Sequence, residues 1–589
     1  PHAVDDRVAE AGAQHAVTAE TGRRIAGWTT RFMAPVRPGA EVEVRADRVG
    51  LSDGREVLDV TVRADGEVVM AASAVLDAPR TAYAFPGQGI QSQGMGMAGY
   101  QRCPAAREVW DRADKHTRKA LGFSILTVVR DNPTELTVRG VTHHHPDGVL
   151  YLTQFTQVAM AVLGAAQMAE LREGGAFVEG AILAGHSVGE YNALAAVSGV
   201  ISLEAVVEVV FQRGSVMHTL VPRDEKGRSD YRLAAIRPSQ IGLADDEVKD
   251  YVEGVGEQAG EFLQIVNYNQ RGSQYAIAGT VRGLEVLEKD VAERRARFGG
   301  KAAFIVVPGI DVPFHSRVLH GGVPDFRHKL QDLLPPTIDP SILEGRYVPN
   351  LVPRPFSLDE DFVREVEEYV GVTIPRSEDP GVLCRDLLIE LLAWQFASPV
   401  RWIETQDLMF TPVEQGGLGV ERFVEVGVGS APTVANLASG TLKLPGYPSV
   451  EVLNVERDAA AVYGTDEDPA PVEDDAPEAP EATATETAPQ AAAPAAAPAG
   501  GPATQTAADL PFSAADATRV LIAWWTKLRL DQLGAADTIE SLTDGASSRR
   551  NQLLIDLGGE LSLGAIDGAA EADLTTLGHQ VDALARTYK

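Results

Sequence analysis

The sequence predicts an α/β protein built round a parallel sheet, with a smaller antiparallel segment before it and an all-α segment after it. Three observations predict this. From Tyr83 to about Tyr463, short apolar runs alternate with helical segments, the pattern of strands joined by crossover helices. Before Tyr83, apolar and polar residues alternate with the two-residue period of half-buried strands. After Asp509, helical periodicity returns beyond a stretch with almost nothing to bury.

The bulk properties set limits. At 589 residues the chain is too long for one core, and about 150 residues per domain implies roughly four structural units. With 52 basic and 83 acidic residues the net charge is −31. General nucleic-acid binding is therefore excluded, because phosphates would be repelled. Cys103 and Cys384 are the only cysteines, which fits reduced thiols in a cytoplasmic protein and not a disulfide framework. No apolar stretch approaches the ~18 residues that span a bilayer, and no signal peptide opens the chain. The first residues, Pro1-His2-Ala3-Val4, and the last, Tyr588-Lys589, read as cuts inside a larger polypeptide.

Residues 1–80 read as an antiparallel meander from about Thr29 onward. Glu41–Arg45 and Leu58–Arg63 alternate as strands, and Arg37-Pro38-Gly39, Ser52-Asp53-Gly54 and Ala64-Asp65-Gly66 are turn signals. Residues 81–464 form the α/β part. Within it, about 230–307 read β-α-β-β-α-β, with strands at Tyr231–Ile236, Phe262–Tyr268, Gln274–Ala278 and Ala302–Val307, which predicts a ferredoxin-like subdomain. Residues 465–508 are Ala, Pro, Glu and Thr, with no Lys or Arg between Arg457 and Arg519, and read as a mobile extended linker. In 509–589, Ser513 caps a helix carrying Val520, Leu521, Trp524, Trp525 and Leu528, and a second helix runs through Asn551–Leu557.

The strongest motif is Gly185-His186-Ser187-Val188-Gly189, between the apolar run Ala181–Ala184 and a helical pattern from Glu190 to Val197. G-x-S-x-G in that setting is a nucleophile elbow: the glycines permit a sharp turn, and the serine hydroxyl sits at a helix start. Phe85-Pro86-Gly87-Gln88-Gly89, after the first strand, can aim backbone amides into a site, although its spacing is not that of a dinucleotide fingerprint. Val312-Pro313-Phe314-His315-Ser316 supplies one of 12 histidines, the usual base for a serine. His143-His144-His145 reads as a solvated loop beside Pro146-Asp147-Gly148, and no metal site is assigned. Arg213, read alone, is an ordinary arginine on a helix.

Together these elements resemble the malonyl-CoA:acyl-carrier-protein transacylase family. The order is Gly87-Gln88-Gly89, Gly185–Glu190, Gln212-Arg213-Gly214 and Val312–His315, with Ile265–Asn269, Ile277-Ala278-Gly279 and Val424–Gly427 also similar. The resemblance implies an α/β-hydrolase-like core with Ser187 as acyl nucleophile and His315 as its base. It implies an oxyanion hole from the backbone N–H groups of Gln88 and Val188, and Asn350 orienting His315 through its carbonyl. Arg213 would grip the malonyl carboxylate, and Phe314 would leave no room for a 2-methyl branch.

The flanks carry two further resemblances. Phe32–Gly39 and the strands after it resemble the end of a MaoC-like hot-dog dehydratase, with no catalytic His and acid pair. Asp544-Gly545-Ala546-Ser547-Ser548 and Asn551–Gly558 resemble the carrier domain of fungal-type type I fatty acid synthases. That implies 4′-phosphopantetheine on Ser547, with Ser548 the adjacent alternative. The implied partners are malonyl-CoA, palmitoyl-CoA, the other domains of the same synthase and further copies of the chain. A serine thioesterase or hydrolase would share the elbow but expects an Asp or Glu behind the histidine; a non-catalytic scaffold would form no acyl-serine.

Overall fold

In the computed structural model the described residues are 2–465, apart from 198, 225–227 and 308–309, and a C-terminal set: 513–526, 530, 533–542, 550, 553–554, 557, 561, 569–570 and 572–584. The chain divides into two compact units, residues 1–469 and 470–589.

The first unit opens with helix α1 (His2–Thr21), which the strand-like reading of this region did not anticipate. Its buried stripe is Ala9, Ala13 and Val17, spaced four apart as one helix face requires. Such small residues give a weak apolar signal. Strands β1 (Ile25–Phe32), β2 (Val42–Ser52), β3 (Arg55–Ala64) and β4 (Glu67–Leu76) form an antiparallel sheet in the order β1-β4-β3-β2. Asp53-Gly54 and Asp65-Gly66 each have both φ values positive, the two-residue hairpin turn that matches strand twist. Leu58, Val60, Val62 and Ala64 alternate inward onto α1. The Gly54 N–H donates to the Gly175 carbonyl at 2.8 Å, and Arg23, just before β1, donates to Glu421 at 3.4 Å. These bonds tie the antiparallel sheet to the α/β part of the unit.

The central sheet contains β5 (Thr81–Phe85) and β6 (Ile182–Gly185), with helix α2 (Thr153–Glu173) between them in sequence. Helices α3 (Gly189–Ala195) and α4 (Leu203–Leu220) come next. Then comes the ferredoxin-like insertion: β7 (Tyr231–Ile236), α5 (Val248–Ala259), β8 (Leu263–Gln270), β9 (Gln274–Thr280), α6 (Val281–Phe298) and β10 (Phe304–Val307). Its strands pair antiparallel in the order β8-β9-β7-β10, second, third, first and fourth of the insertion. The chain then returns through β11 (Tyr347–Val348), α7 (Pro380–Gln395), β12 (Arg422–Glu425) and β13 (Glu451–Asn454).

The parallel order β11-β6-β5-β12-β13 puts the first strand in the middle. The chain leaves β5 for β6 on one side, and fills the place on the other side with β12, which it reaches from β11. The crevice at the carboxyl ends of the strands beside β5 is where such a sheet takes its ligand. All five residues of β5 are buried.

His143 and His144 lie in a short strand of a two-stranded hairpin and not in a loop. Among the described residues no group of three or more His, Cys, Asp or Glu is arranged to hold a metal, and no helix is long and apolar enough to cross a membrane.

The described elements of the second unit are helices α8 (Ala514–Thr526), α9 (Ile539–Leu542) and α10 (Leu574–Leu584), packed round Ala517, Ile522, Leu577 and Val581. Ser513 accepts from the Asp516 N–H at 3.2 Å while Asp516 accepts from the Ser513 N–H at 2.9 Å, a reciprocal cap. The linker beyond Thr465, the side chains of Trp524 and Trp525, Leu528, most of Asn551–Leu557, and Ser547 with Ser548 lie outside the described residues.

Candidate active site

Strand β6 ends at Gly185 and helix α3 begins at Gly189, so three residues make the turn. A side chain on Gly185 would meet the Gly189 carbonyl carbon at 2.1 Å, and one on Gly189 would meet the Phe85 carbonyl oxygen at 2.1 Å. The motif glycines are therefore required by close approach of β5, β6 and α3. Ser187, at the apex, has φ 55°; left-handed backbone of this kind costs about 1–3 kcal/mol outside glycine.

The hydroxyl of Ser187 lies 2.6 Å from His315 Nε2, across 128 residues of sequence. His315 also has a left-handed backbone, φ 59°, and its N–H donates to the Phe396 carbonyl at 2.9 Å. The Nδ1 atom faces two acceptors, the Gln395 carbonyl at 2.9 Å and the Ser398 carbonyl at 3.1 Å. Two acceptors require Nδ1 to carry the proton, so Nε2 offers its lone pair to the serine hydroxyl. Burial, reinforced by the Arg213 charge, drives His315 down to about 3. It is neutral at physiological pH and able to accept a proton.

This corrects the role expected for Asn350. Its amide is taken up by the elbow: Oδ1 accepts from the Ser187 N–H at 3.0 Å and Nδ2 donates to the Gly185 carbonyl at 2.5 Å. Two peptide carbonyls orient the base, and Asn350 braces the nucleophile.

Arg213 projects from α4 into the same site. The adjacent Gly214 lets α4 approach α2, since a side chain there would meet Gln154 Cα at 2.7 Å. The Arg213 side chain is buried, with Nη2 3.3 Å from Ser187 Oγ and 2.9 Å from Gln395 Oε1. Its guanidinium carbon lies 5.4 Å from the Tyr191 ring centroid. Nε has no hydrogen-bond partner among the described residues, and Nη2 bonds neutral oxygens, those of Ser187 and Gln395. Burial lowers its pKa. A buried cation without a bonded anion has the charge and the donors to hold a carboxylate beside the Ser187 hydroxyl.

Gln395 is the residue that sequence reasoning missed. Its carbonyl holds His315, its Oε1 accepts from Arg213 and its Nε2 donates to the Ser187 carbonyl. The available signal was a single amide at the end of the apolar helical run Leu387–Trp394. The backbone N–H groups of Gln88 and Val188 have no acceptor among the described residues. The Gln88 side chain reaches Thr153 at 3.5 Å. Phe314 is half-buried beside the base, at the junction of two apolar clusters. His186 bonds Asn269 on β8 at 2.8 Å, tying the ferredoxin-like insertion to the elbow.

An acyl transferase domain model matches residues 82–306. Over 630 aligned residues covering 90% of the chain, the sequence is 34% identical to fatty acid synthase 2 of Mycosarcoma maydis. Along most of its length the chain is thus similar to fungal fatty acid synthases, and it carries an acyl transferase domain. It is also 32% identical to the fatty acid synthase subunit beta of Saccharomyces cerevisiae over 59% of its length. The chain spans 17% of the first relative and 21% of the second. Among solved structures, an acyl carrier protein S-malonyltransferase from Vibrio cholerae aligns with a TM-score of 0.47 at 23% identity, over 65% of this chain and 98% of that one.

Proposed function

We propose that residues 81–464 transfer malonyl groups, and in the return direction palmitoyl groups, between CoA and an acyl carrier thiol by ping-pong exchange through Ser187. The observation that carries this reading is one hydroxyl within 2.6 Å of a neutral imidazole nitrogen and 3.3 Å of a buried guanidinium without a bonded anion. The first pair makes an acyl-transfer nucleophile; the second selects an acyl group that ends in a carboxylate.

In the first half-reaction Ser187 Oγ attacks the malonyl-CoA thioester carbonyl and its proton passes to His315 Nε2. The Gln88 and Val188 amides receive the oxyanion; one such donor typically supplies about 3 kcal/mol. The C–S bond breaks, and the proton leaves with the CoA sulfur. Arg213 holds the distal carboxylate throughout, and Phe314 limits the space beside it. The second half-reaction reverses these steps with a carrier thiol. The chemistry supplied by phosphopantetheine on a carrier is that thiol, and Ser547 is the proposed attachment point. A palmitoyl chain requires Arg213 to move aside.

This reading extends to the flanks: residues 1–80 as the end of a dehydratase-like domain, 465–508 as a tether, and 509–589 as the carrier. The tether would raise the effective concentration of the carrier thiol at Ser187. It also puts the chain in a cytoplasmic homo-oligomeric assembly with the other synthase domains. A hydrolase would want a carboxylate behind the base, whereas His315 Nδ1 faces peptide carbonyls. Intact-mass analysis with malonyl-CoA and palmitoyl-CoA, followed by peptide mapping, tests the reading. An acyl ester on Ser187 is expected; labelling that persists in Ser187→Ala would reject it.

A further inference from the structure

Glu190 lies in the first turn of α3, beneath the nucleophile, with its side chain buried. Its Oε1 accepts from the Tyr347 hydroxyl and from the Asn350 N–H at 3.1 Å. Asn350 in turn accepts from the Ser187 N–H, so the carboxyl connects to the elbow through one residue. Its Oε2 is buried without a hydrogen-bond partner among the described residues, although the Gln395 amide is near enough to favour the anion. Gln395 also accepts from Arg213. The carboxyl and the guanidinium thus face each other across a single amide, neither with a bonded counter-ion. A buried charge of either sign is costly unless the other compensates it.

We propose that Glu190 is a positioning residue and the internal counter-charge of Arg213, taking up a proton when a substrate carboxylate replaces it as the anion of the site. This rests on the malonyl reading of Arg213. The charged and titratable groups coupled to Glu190 are Arg213 from α4, Tyr347 from β11 and Tyr191 from its own helix; α7 presents the neutral Gln395 amide. Burial raises the Glu190 carboxyl to about 7, against the hydrogen bonds and the Arg213 charge that favour its anion. A malonyl carboxylate on Arg213 withdraws that last stabilisation, and the carboxyl moves higher. Near pH 7, where about half the sites carry the anion, protons are drawn from solution.

The transfer itself neither consumes nor releases a proton. The O–C bond forms, the C–S bond breaks, and the serine proton leaves on the CoA thiol. Any net uptake therefore belongs to the protein. The experiment uses the full chain at pH 7 in weak buffer, with a pH-indicator dye in stopped flow and intact mass to count acylated Ser187. Malonyl-CoA is expected to draw up to about half a proton per acyl-serine formed, palmitoyl-CoA none, and malonyl-CoA none in Glu190→Gln. Malonyl-serine formed without uptake in the unaltered chain overturns the inference and leaves the malonyl reading standing. Equal uptake with palmitoyl-CoA, or undiminished uptake in a folded Glu190→Gln chain, also overturns it. No malonyl-serine at all overturns the malonyl reading and this inference with it. Should Glu190→Gln fail to fold, the malonyl-to-palmitoyl comparison in the unaltered chain decides.

Discussion

Arg213→Ala separates recognition of the acyl group from the chemistry on it. The guanidinium is buried, and among the described residues its hydrogen-bond partners, Gln395, Ser187 and Tyr191, are neutral. A malonyl carboxylate entering this site gains up to two charge-assisted hydrogen bonds, each worth about 1.5–3 kcal/mol. Without them the carboxylate is desolvated and unpaired, so the loss is about 3–5 kcal/mol. At about 1.4 kcal/mol per tenfold, kcat/KM for malonyl-CoA falls by roughly two to three and a half decades. Palmitoyl-CoA has no carboxylate, and its long chain gains the room the guanidinium occupied. Its rate constant should fall by less than about tenfold, a difference of under 1.4 kcal/mol. The assay is quenched-flow formation of acyl-Ser187 with each donor, with palmitoyl transfer reporting that the variant is folded. Equal losses for the two donors would refute the reasoning.

The same geometry fixes three more outcomes. Asn350→Ala strands the Ser187 N–H and the Gly185 carbonyl, so it should cost about 1–3 kcal/mol and lower the melting temperature. The pH profile of acylation should keep its shape, because His315 is held by Gln395 and Ser398; a displaced acid limb would return Asn350 to the base. Gly189→Ala puts a methyl 2.1 Å from the Phe85 carbonyl oxygen; the forced shift should destabilise by about 3 kcal/mol or more, seen as a lower urea midpoint than for Gly254→Ala, which has open space. His315 binds its proton less readily folded, about 3 against an ordinary 6.5. Its contribution to stability is therefore full above pH 6.5 and lost as pH falls from there toward 3; His315→Gln should flatten that part of the stability curve, and an unchanged slope would argue that the imidazole is already charged.

The elbow was legible because its requirement is local: two glycines and a serine between a strand and a helix cannot be read many other ways. The insertion was legible because its strands and helices differ in period, and the observed strand starts fall within about two residues of those expected. Helix α1 was not, since its buried stripe is mostly alanine.

What the sequence alone determined is the alternation of strands and helices, the nucleophilic turn and the presence of an arginine and a histidine downstream of it. Tertiary structure decided how those groups are held. Every residue has a carbonyl, so nothing in the residue types marks Gln395 and Ser398 as the acceptors behind His315, 80 and 83 positions away. Nor does sequence show that Asn350 turns its amide to the elbow. Backbone acceptors carry no side-chain signature, and only folding brings α7 behind the base and sets the buried charges of Arg213 and Glu190 against each other.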